Sequence, residues 1–176
     1  MGKRHSGGVE STAAIAHHPI HPILIVFPAA SLIGAPAADL AYRVTKDPFW
    51  ARASSWLLAT GVVTGLAAAV PGMIDYVAIK EVRRLPSGNV HAAGNLVALS
   101  LAGWNFARRR EHPTVGTDDL GLGLSLATVA LLGVTAWLGG ELSYRHGIGA
   151  IAPSSDDIVG DTVKLGRKAL AGSGLT

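Results

Sequence analysis

The residues with the clearest potential for chemistry stand at the start of the first long apolar run, in the stretch His17-His18-Pro19-Ile20-His21-Pro22. Proline suits the first turn of a helix, so a helix is predicted to begin near Pro19. His18 and His21 are three residues apart and then lie on one face of that helix. Neutral imidazole is the commonest protein ligand for metal ions and also binds haem iron. This stretch therefore predicts a metal or haem site at a helix start.

Four apolar runs of membrane length follow one another, separated by short charged segments. They are predicted at about residues 22–42, 53–75, 90–107 and 120–142. About 20 apolar residues are needed to cross the hydrocarbon core of a bilayer as a helix. The runs are continuous rather than alternating, which favours helices over the strands of a barrel. Charged residues make up only 15% of the chain, well below the usual share of a soluble domain. The chain is therefore predicted to be an integral membrane protein.

The short connections predict the architecture. Consecutive helices joined by short loops pack as antiparallel neighbours, so the fold class is all-α, an up-down-up-down four-helix bundle in the membrane. The bundle is predicted to occupy residues 17–150, between a polar N-terminal segment (1–16) and a polar C-terminal tail (151–176). Both termini then lie on the same side. More of the 15 basic residues fall on that side, which favours a cytoplasmic location for the termini.

The composition also excludes several kinds of site. The chain has no Cys, so it has no disulfide, no thiolate catalysis and no iron–sulfur cluster of its own. The basic residues occur in short groups beside the apolar runs, which is typical of membrane loops and not of a nucleic-acid-binding surface. Small residues recur at helical spacing, as at Gly61, Gly65 and Ala69, and predict close approach of neighbouring helices.

The predicted topology brings polar side chains from all four helices to the terminal side of the membrane. Such residues are costly in a bilayer and usually face the interior of a helix bundle. His21 and His91 each open an apolar run and are expected nearest the centre of the site. Asn95 and Tyr144 are predicted to orient the ligands. The candidate ligands are His18, His21, Asp75, His91, Glu141 and His146.

Two kinds of cofactor fit this set. A haem b needs axial ligands on opposite porphyrin faces, and the candidates are His18, His21, His91 and His146. It also needs room between helices, which glycines such as Gly72 and Gly139 could provide. A non-haem iron, zinc or copper ion would instead combine the imidazoles with the carboxylates of Asp75 and Glu141. The same carboxylates could orient the imidazoles by hydrogen bonds.

The polar residues on the opposite side are interpreted as ordinary loop groups. Arg108, Arg109 and Arg110 are read in the same way, as loop charges after the third run. The acidic residues and the histidine in this class are Asp39, Asp47, Glu111, His112, Asp118 and Asp119.

Four motifs resemble one bacterial family of predicted four-helix membrane proteins of unknown function. They are the His-Pro-Ile-His-Pro start, Pro71-Gly72-Met73-Ile74-Asp75, His91 with Asn95, and the closing Gly139-Gly140-Glu141-Leu142-Ser143-Tyr144-Arg145-His146-Gly147. The resemblance covers about residues 17–150 and implies a multi-pass protein of the bacterial inner membrane. Some relatives are joined to Rieske-type iron–sulfur domains, which implies redox work. Because this chain has no Cys, such a redox partner would be a separate protein.

The leading hypothesis is therefore a membrane redox or electron-transfer subunit. A transport protein for protons or metal ions is a second hypothesis, but the four runs show no internal repeat and the polar groups lie on one side. A structural or assembly protein without a cofactor is the third. The lipid bilayer is the expected partner, and a homo-oligomer is compatible with the sequence. No nucleophile–base arrangement or phosphate-binding loop is present, so no enzymatic activity is assigned.

Overall fold

The computed structural model of the chain describes residues 4–5, 8–110, 112–114, 117–149 and 163. The predicted polar tail, residues 151–176, therefore lies outside the described residues except for Val163. Glu111, one of the predicted loop groups, also lies outside them.

The N-terminal segment contains two short antiparallel strand pairs. Strand β1 (Arg4–His5) pairs with β2 (Gly8–Val9), and β3 (Ala14–Ile15) pairs with β4 (His18–Pro19). The two residues that join β3 to β4, Ala16 and His17, both have positive φ angles, as in a tight hairpin turn. Strands of two residues are too short to produce an alternating sequence pattern, so the sequence did not predict them.

Helices form most of the rest of the described chain, and the predicted apolar runs lie in the helical part. The first run is interrupted at Ile25, because Pro28 has no N–H and its ring crowds the carbonyl of Leu24. The helices are α1 (Ile20–Leu24), α2 (Val26–Thr45), α3 (Pro48–Ala78), α4 (Lys80–Arg84), α5 (Pro86–Arg109) and α6 (Asp119–Tyr144).

Within the described residues, three helical stretches are long and apolar enough to cross a membrane. They are Ile20–Thr45, Pro48–Ala78 and Asp119–Tyr144. Helix α5 has a comparable length, 24 residues, but carries more polar side chains. The prediction of a mostly helical membrane protein is thus confirmed, with three candidate spans.

Each of the four long helices packs against two of the others. Helix α2 packs against α3 and α6, and α5 packs against the same two helices. The pairs α2/α5 and α3/α6 therefore face each other across the centre. Small residues permit this packing: a Cβ at Gly61 would come within 2.5 Å of Leu32, and one at Gly65 within 2.9 Å of Leu99. The close approach predicted at these two glycines is confirmed.

The apolar residues are divided between a small core and a large outer surface. Leu32, Ala35, Leu58 and Ala102 are buried at the centre. Apolar side chains exposed around the outside are what a bilayer would cover, because water-soluble proteins rarely expose such extended apolar patches. They include Trp56, Val63, Leu66 and Val70 on α3, Val97 and Trp104 on α5, and Leu126, Val134 and Trp137 on α6.

Candidate histidine site and a buried ion pair

The first half of the candidate site is His21 against helix α3. Its Nδ1 lies 2.8 Å from the backbone oxygen of Ala68. The ring also packs on Gly72, where a Cβ would come within 2.9 Å of the imidazole. Gly72 is one helical turn after Ala68. Because Gly72 has no side chain, the His21 ring that contacts the Ala68 backbone oxygen has room beside it.

The second half repeats this arrangement with His91 against helix α6. Its Nδ1 lies 2.8 Å from the backbone oxygen of Thr135. The ring packs on Gly139, where a Cβ would come within 3.0 Å of the imidazole. Gly139 follows Thr135 by one helical turn, as Gly72 follows Ala68.

The two imidazoles lie next to each other. Their ring centroids are 6.2 Å apart and their planes are nearly perpendicular, at 85°. A backbone carbonyl can only accept a hydrogen bond, so in both neutral rings Nδ1 carries the proton. Nε2 of each ring therefore has a lone pair, which is the form in which imidazole binds metals.

Asn95 and Thr135 determine the surroundings of His91. The Thr135 hydroxyl donates to Asn95 Oδ1 at 2.9 Å, which directs the amide NH₂ of Asn95 toward His91. Asn95 Nδ2 then donates to His91 Nε2 at 3.2 Å and to the His91 backbone oxygen at 2.9 Å. Asn95 thus lies where the sequence predicted an orienting residue.

Asp75 is engaged by the N-terminal segment. Its Oδ2 accepts from the Ser11 hydroxyl at 2.6 Å. Its Oδ1 accepts from the backbone N–H groups of Thr12 and Ala13 at 2.7 and 3.0 Å. The sequence suggested a metal ligand here, but did not reveal that the segment before the first helix returns to α3.

The remaining candidate ligands make local contacts. Nδ1 of His18 lies 2.8 Å from the backbone oxygen of Ala16, within its own turn. Glu141 accepts from Arg145 at 3.2 Å, one helical turn later. His146 is exposed after the end of α6, and Tyr144 is 93% exposed.

The structure therefore brings together two of the six candidate ligands, His21 and His91. Among the residues that the structure describes, no group of three or more His, Asp or Glu side chains is arranged to hold a metal ion. A site on this pair would accordingly need a cofactor that takes only two ligands from the protein.

The opposite end of the helices contains a buried ion pair. Arg109 donates from Nη1 to Asp39 Oδ1 at 2.7 Å and from Nη2 to Asp39 Oδ2 at 2.9 Å. Both side chains are 0% exposed. The interpretation of Asp39 and Arg109 as loop groups is therefore wrong. Two helix ends carry opposite charges that neutralise each other, which sequence order alone did not reveal.

Polar side chains from the other helices complete this ion pair. Arg109 Nη1 also donates to Ser54 Oγ at 2.7 Å, and Arg109 Nε donates to Asn105 Oδ1 at 3.2 Å. Asn105 Nδ2 donates to Ser125 Oγ at 2.9 Å, and that hydroxyl lies 3.4 Å from Asp39 Oδ2. The network joins α2, α3, α5 and α6. Within the described residues, no buried side-chain polar atom lacks a hydrogen-bond partner.

The two clusters expose an internal repeat in the structure. His21 and His91 occupy equivalent positions, as do Asp39 and Arg109, which are 70 residues apart in the chain. Buried positions of α2 recur in α5 at the same shift: Pro28 and Ala98, Leu32 and Ala102, Ala35 and Asn105. Buried positions of α3 recur in α6 at their own constant shift: Ser54 and Gly121, Leu58 and Ser125, Gly61 and Thr128, Ala68 and Thr135.

The expectation that the chain has no internal repeat is therefore wrong. The repeat was not visible in the sequence because most equivalent positions hold different residue types, such as Asp39 and Arg109, and only a few, such as His21 and His91, are identical. The half formed by α1, α2 and α3 contributes His21 and Asp39, and the half formed by α5 and α6 contributes His91 and Arg109. The two histidines, His21 and His91, meet at one end of the bundle, and the opposite charges of Asp39 and Arg109 meet at the other end.

A second ion pair near the same end lies at the surface. Arg108 Nη2 contacts Asp118 Oδ2 at 2.8 Å, with 20% and 45% of the two side chains exposed. Asp118 also caps α6, because its Oδ1 accepts from the backbone N–H of Gly121 at 2.7 Å. The hydrogen bond from Arg108, followed by the one from Gly121, holds the pKa of Asp118 below its usual value. His112 is exposed in the loop before it, as predicted for a loop group.

Comparison with known proteins identifies one family. The family described as "Predicted membrane protein (DUF2231)" matches residues 17–152, most of the chain. No curated protein and no solved structure matches the chain. The match confirms the resemblance that the opening and closing motifs predicted.

Proposed function

The chain belongs to this family of predicted membrane proteins, and on that premise we propose that all four long helices cross the bilayer as an up-down-up-down bundle. Helix α5 is the one in question, because its polar residues lower its hydropathy. Three of them, Asn95, Asn105 and Arg109, have hydrogen-bond partners on other helices. At about 1.5 Å per residue, its 24 residues are long enough for a hydrocarbon core of about 30 Å.

The outer face of α5 supports the same proposal. Val90, Leu96, Val97 and Trp104 are its exposed large apolar side chains. An α5 outside the membrane would present these side chains to water while it packs against two candidate spans. Reporter proteins fused to each terminus test the proposal, and both should report the same side. Signals from opposite sides would mean that an odd number of helices crosses the membrane.

We further propose that the His21–His91 pair binds a redox cofactor, with haem b as the best fit, and that the protein transfers electrons in the bacterial inner membrane. The observation that supports this proposal is that the imidazole rings of His21 and His91 lie side by side. Two imidazoles from equivalent positions lie 6.2 Å apart, each with Nδ1 on a backbone carbonyl. Histidines that bind metals usually donate their other N–H in this way.

The distance between the rings is compatible with two ligands on one metal. Two metal–nitrogen bonds of about 2 Å each, plus about 1 Å from nitrogen to centroid in each ring, separate the centroids by about 6 Å. His21 and His91 would hold a haem, which takes only two ligands from the protein, whereas a non-haem site would need three or four. When bound, haem would supply a one-electron redox centre.

The residues around the pair have defined tasks in this proposal. Ala68 and Thr135 hold the Nδ1 protons through their backbone oxygens and thereby keep Nε2 available. Gly72 and Gly139 leave room for the rings. Asn95 donates a hydrogen bond to His91 Nε2, and this hydrogen bond would be lost if that nitrogen held the cofactor.

The test is the absorption spectrum and metal content of the membrane-extracted protein and of three variants. His21→Ala and His91→Ala should each abolish the Soret band, because each removes one of the two axial ligands. His112→Ala should retain it, since His112 is exposed in a loop at the opposite end. A colourless parent with one metal ion per chain would favour a non-haem site. A parent with neither haem nor metal would leave the hydrogen-bonded pair with a structural role only.

A transport function has one observation in its favour, the internal repeat. Many transporters consist of two related halves. However, the layer between the histidine pair and the ion pair is mainly apolar, with Leu32, Ala35, Leu58 and Ala102 buried there beside the hydroxyl groups of Ser31 and Thr128. Among the described residues, the only buried charged side chains are Asp39 and Arg109, at the far end, so an ion would meet no charged group in this layer, and we rank transport below electron transfer.

A further inference from the structure

The segment before the first helix, residues 8–19, is attached to the rest of the protein at two separate places. We call this segment the strap. Its first attachment is at Val9, which donates from its N–H to Gly147 at 2.9 Å and accepts from the N–H of Gly149 at 2.8 Å. Val9 also packs on a cluster that includes Leu142 and Ile148. This end of the strap is therefore bound where α6 ends.

The second attachment is at Asp75, in the last turn of α3. The carboxylate accepts three hydrogen bonds from consecutive strap residues, Ser11, Thr12 and Ala13, at 2.6 to 3.0 Å. Hydrogen bonds to an ionised carboxylate are shorter and stronger than those between neutral groups. Ala13 is buried as a result, with 8% exposure.

These two attachments determine where the strap runs. Asp75 is in the last turn of α3, and Gly147 and Gly149 follow the end of α6, so the strap connects the ends of two helices that face each other across the centre. His21 lies on α1, which precedes α2, and His91 lies in the first turns of α5, so both histidines are at this end of the helices. Gly72, on which His21 packs, is one turn before Asp75. The strap is therefore bound at the end of the bundle where His21 and His91 lie.

The hairpin turn of the strap does little to hold it in place. Ala16 and His17 have φ angles of 48° and 64°, which the turn requires. Asn and Gly adopt these angles readily, whereas other residues do so at a cost. The stability of the closed strap must then come from its contacts with the helix ends, above all from those with Asp75.

We propose that the strap is a lid, latched by Asp75, that controls the access of small water-borne molecules to His21 and His91. Asp75 is then a latch and not a metal ligand. The biological meaning of the lid rests on the proposed cofactor function, because the lid would separate the cofactor from soluble electron donors. Its mechanical part, access to the two imidazoles, does not depend on a cofactor.

Carbethoxylation of histidine by diethyl pyrocarbonate, resolved by mass spectrometry, measures this access. The protein is first exchanged against imidazole to remove any bound haem or metal, and the imidazole is then washed out. Asp75→Ala should raise the modification rate of His21 and His91 by at least about tenfold, because it removes the acceptor of three charge-assisted hydrogen bonds. His112, exposed at the opposite end, should react equally in parent and variant.

Two further variants keep the test decisive if Asp75→Ala does not fold. Ser11→Ala removes one of the three donors and should give a smaller increase. The double variant Val9→Cys/Ile148→Cys joins two residues paired in a backbone bridge, and the chain has no other Cys. Its disulfide should slow the modification of His21, and a reductant should reverse this. Asp119→Asn removes an exposed carboxylate at the far end and should change nothing.

The outcomes separate the lid from the cofactor proposal. Equal rates for His21 in the parent, the Ser11→Ala variant and the locked variant would overturn the lid. A parent without haem or metal leaves this test intact, because the reagent attacks imidazole itself. A lid that fails leaves the Soret test of His21 and His91 equally intact.

Discussion

The buried ion pair provides the sharpest prediction. Asp39→Leu leaves the Arg109 guanidinium buried without its anion, and Arg109→Met leaves the Asp39 carboxylate without its cation. Both side chains are 0% exposed, so water cannot solvate the charge that remains when its partner is removed. Removing one member of a buried pair costs about 3–5 kcal/mol. Each single variant should therefore lose about that much free energy of unfolding.

The double variant Asp39→Leu/Arg109→Met should be far more stable than the sum of the singles implies. It removes both charges and leaves two neutral groups short of a partner, Asn105 Oδ1 and the Ser125 hydroxyl. At about 1–2 kcal/mol for each such group, the double variant should lose about 2–4 kcal/mol. The single losses sum to about 6–10 kcal/mol, so the coupling energy between the two sites is about 5 kcal/mol, within a range of about 2–8 kcal/mol.

Reversible unfolding in mixed micelles, followed by circular dichroism, measures these free energies. The matched control is Arg108→Met, on the same helix, which breaks the partly exposed pair with Asp118. It should cost no more than about 1 kcal/mol. Additive losses in the double variant, or single losses as small as the control, would refute the description of Asp39 and Arg109 as a desolvated pair.

Two further predictions concern packing and pH. Gly61→Ala should destabilise the protein by about 1–3 kcal/mol in the same unfolding assay, because its Cβ would lie 2.5 Å from Leu32. The control Gly133→Ala should be neutral or stabilising, because a Cβ at Gly133 would have nothing within 4 Å. Equal effects would show that the Gly61 face is not packed. Asp118→Asn should remove stability at neutral pH but not in acid. The hydrogen bonds from Arg108 and Gly121 lower the folded-state pKa of Asp118. The stability that its ionised carboxylate contributes is therefore complete above the unfolded-state pKa of about 3.9, and it is lost as the pH falls through the folded-state pKa. A difference between parent and variant that persists below the folded-state pKa would contradict this assignment.

Much of the helical architecture could be predicted from the sequence. A run such as 53–75 is apolar on every side and long enough to span a bilayer, and Asp47-Pro48 before it is a start signal that the structure uses. The recurrence of Gly61 and Gly65 at a spacing of four residues predicted their contacts with other helices. These features depend on residues that are close in the sequence, so local rules are enough to read them.

The candidate site could be predicted only in part. His21 and His91 were expected near the centre, and their rings do lie together. Asp75 was grouped with them because it ends a helix at the same level. The partner of a side chain depends on which segment covers it, and the polar segment before residue 17 showed no periodicity from which its return to α3 could be predicted.

The sequence by itself determined that this chain forms long apolar helices and that histidines stand where two of them begin, because hydropathy and helix-start signals are properties of neighbouring residues. Only the tertiary structure decided that Asp39 and Arg109 neutralise each other and that Asp75 holds the strap. These pairings join residues 70 and 62 to 64 positions apart. The free energy of a buried charge depends on the partner it meets in space, and the sequence does not state which groups will meet.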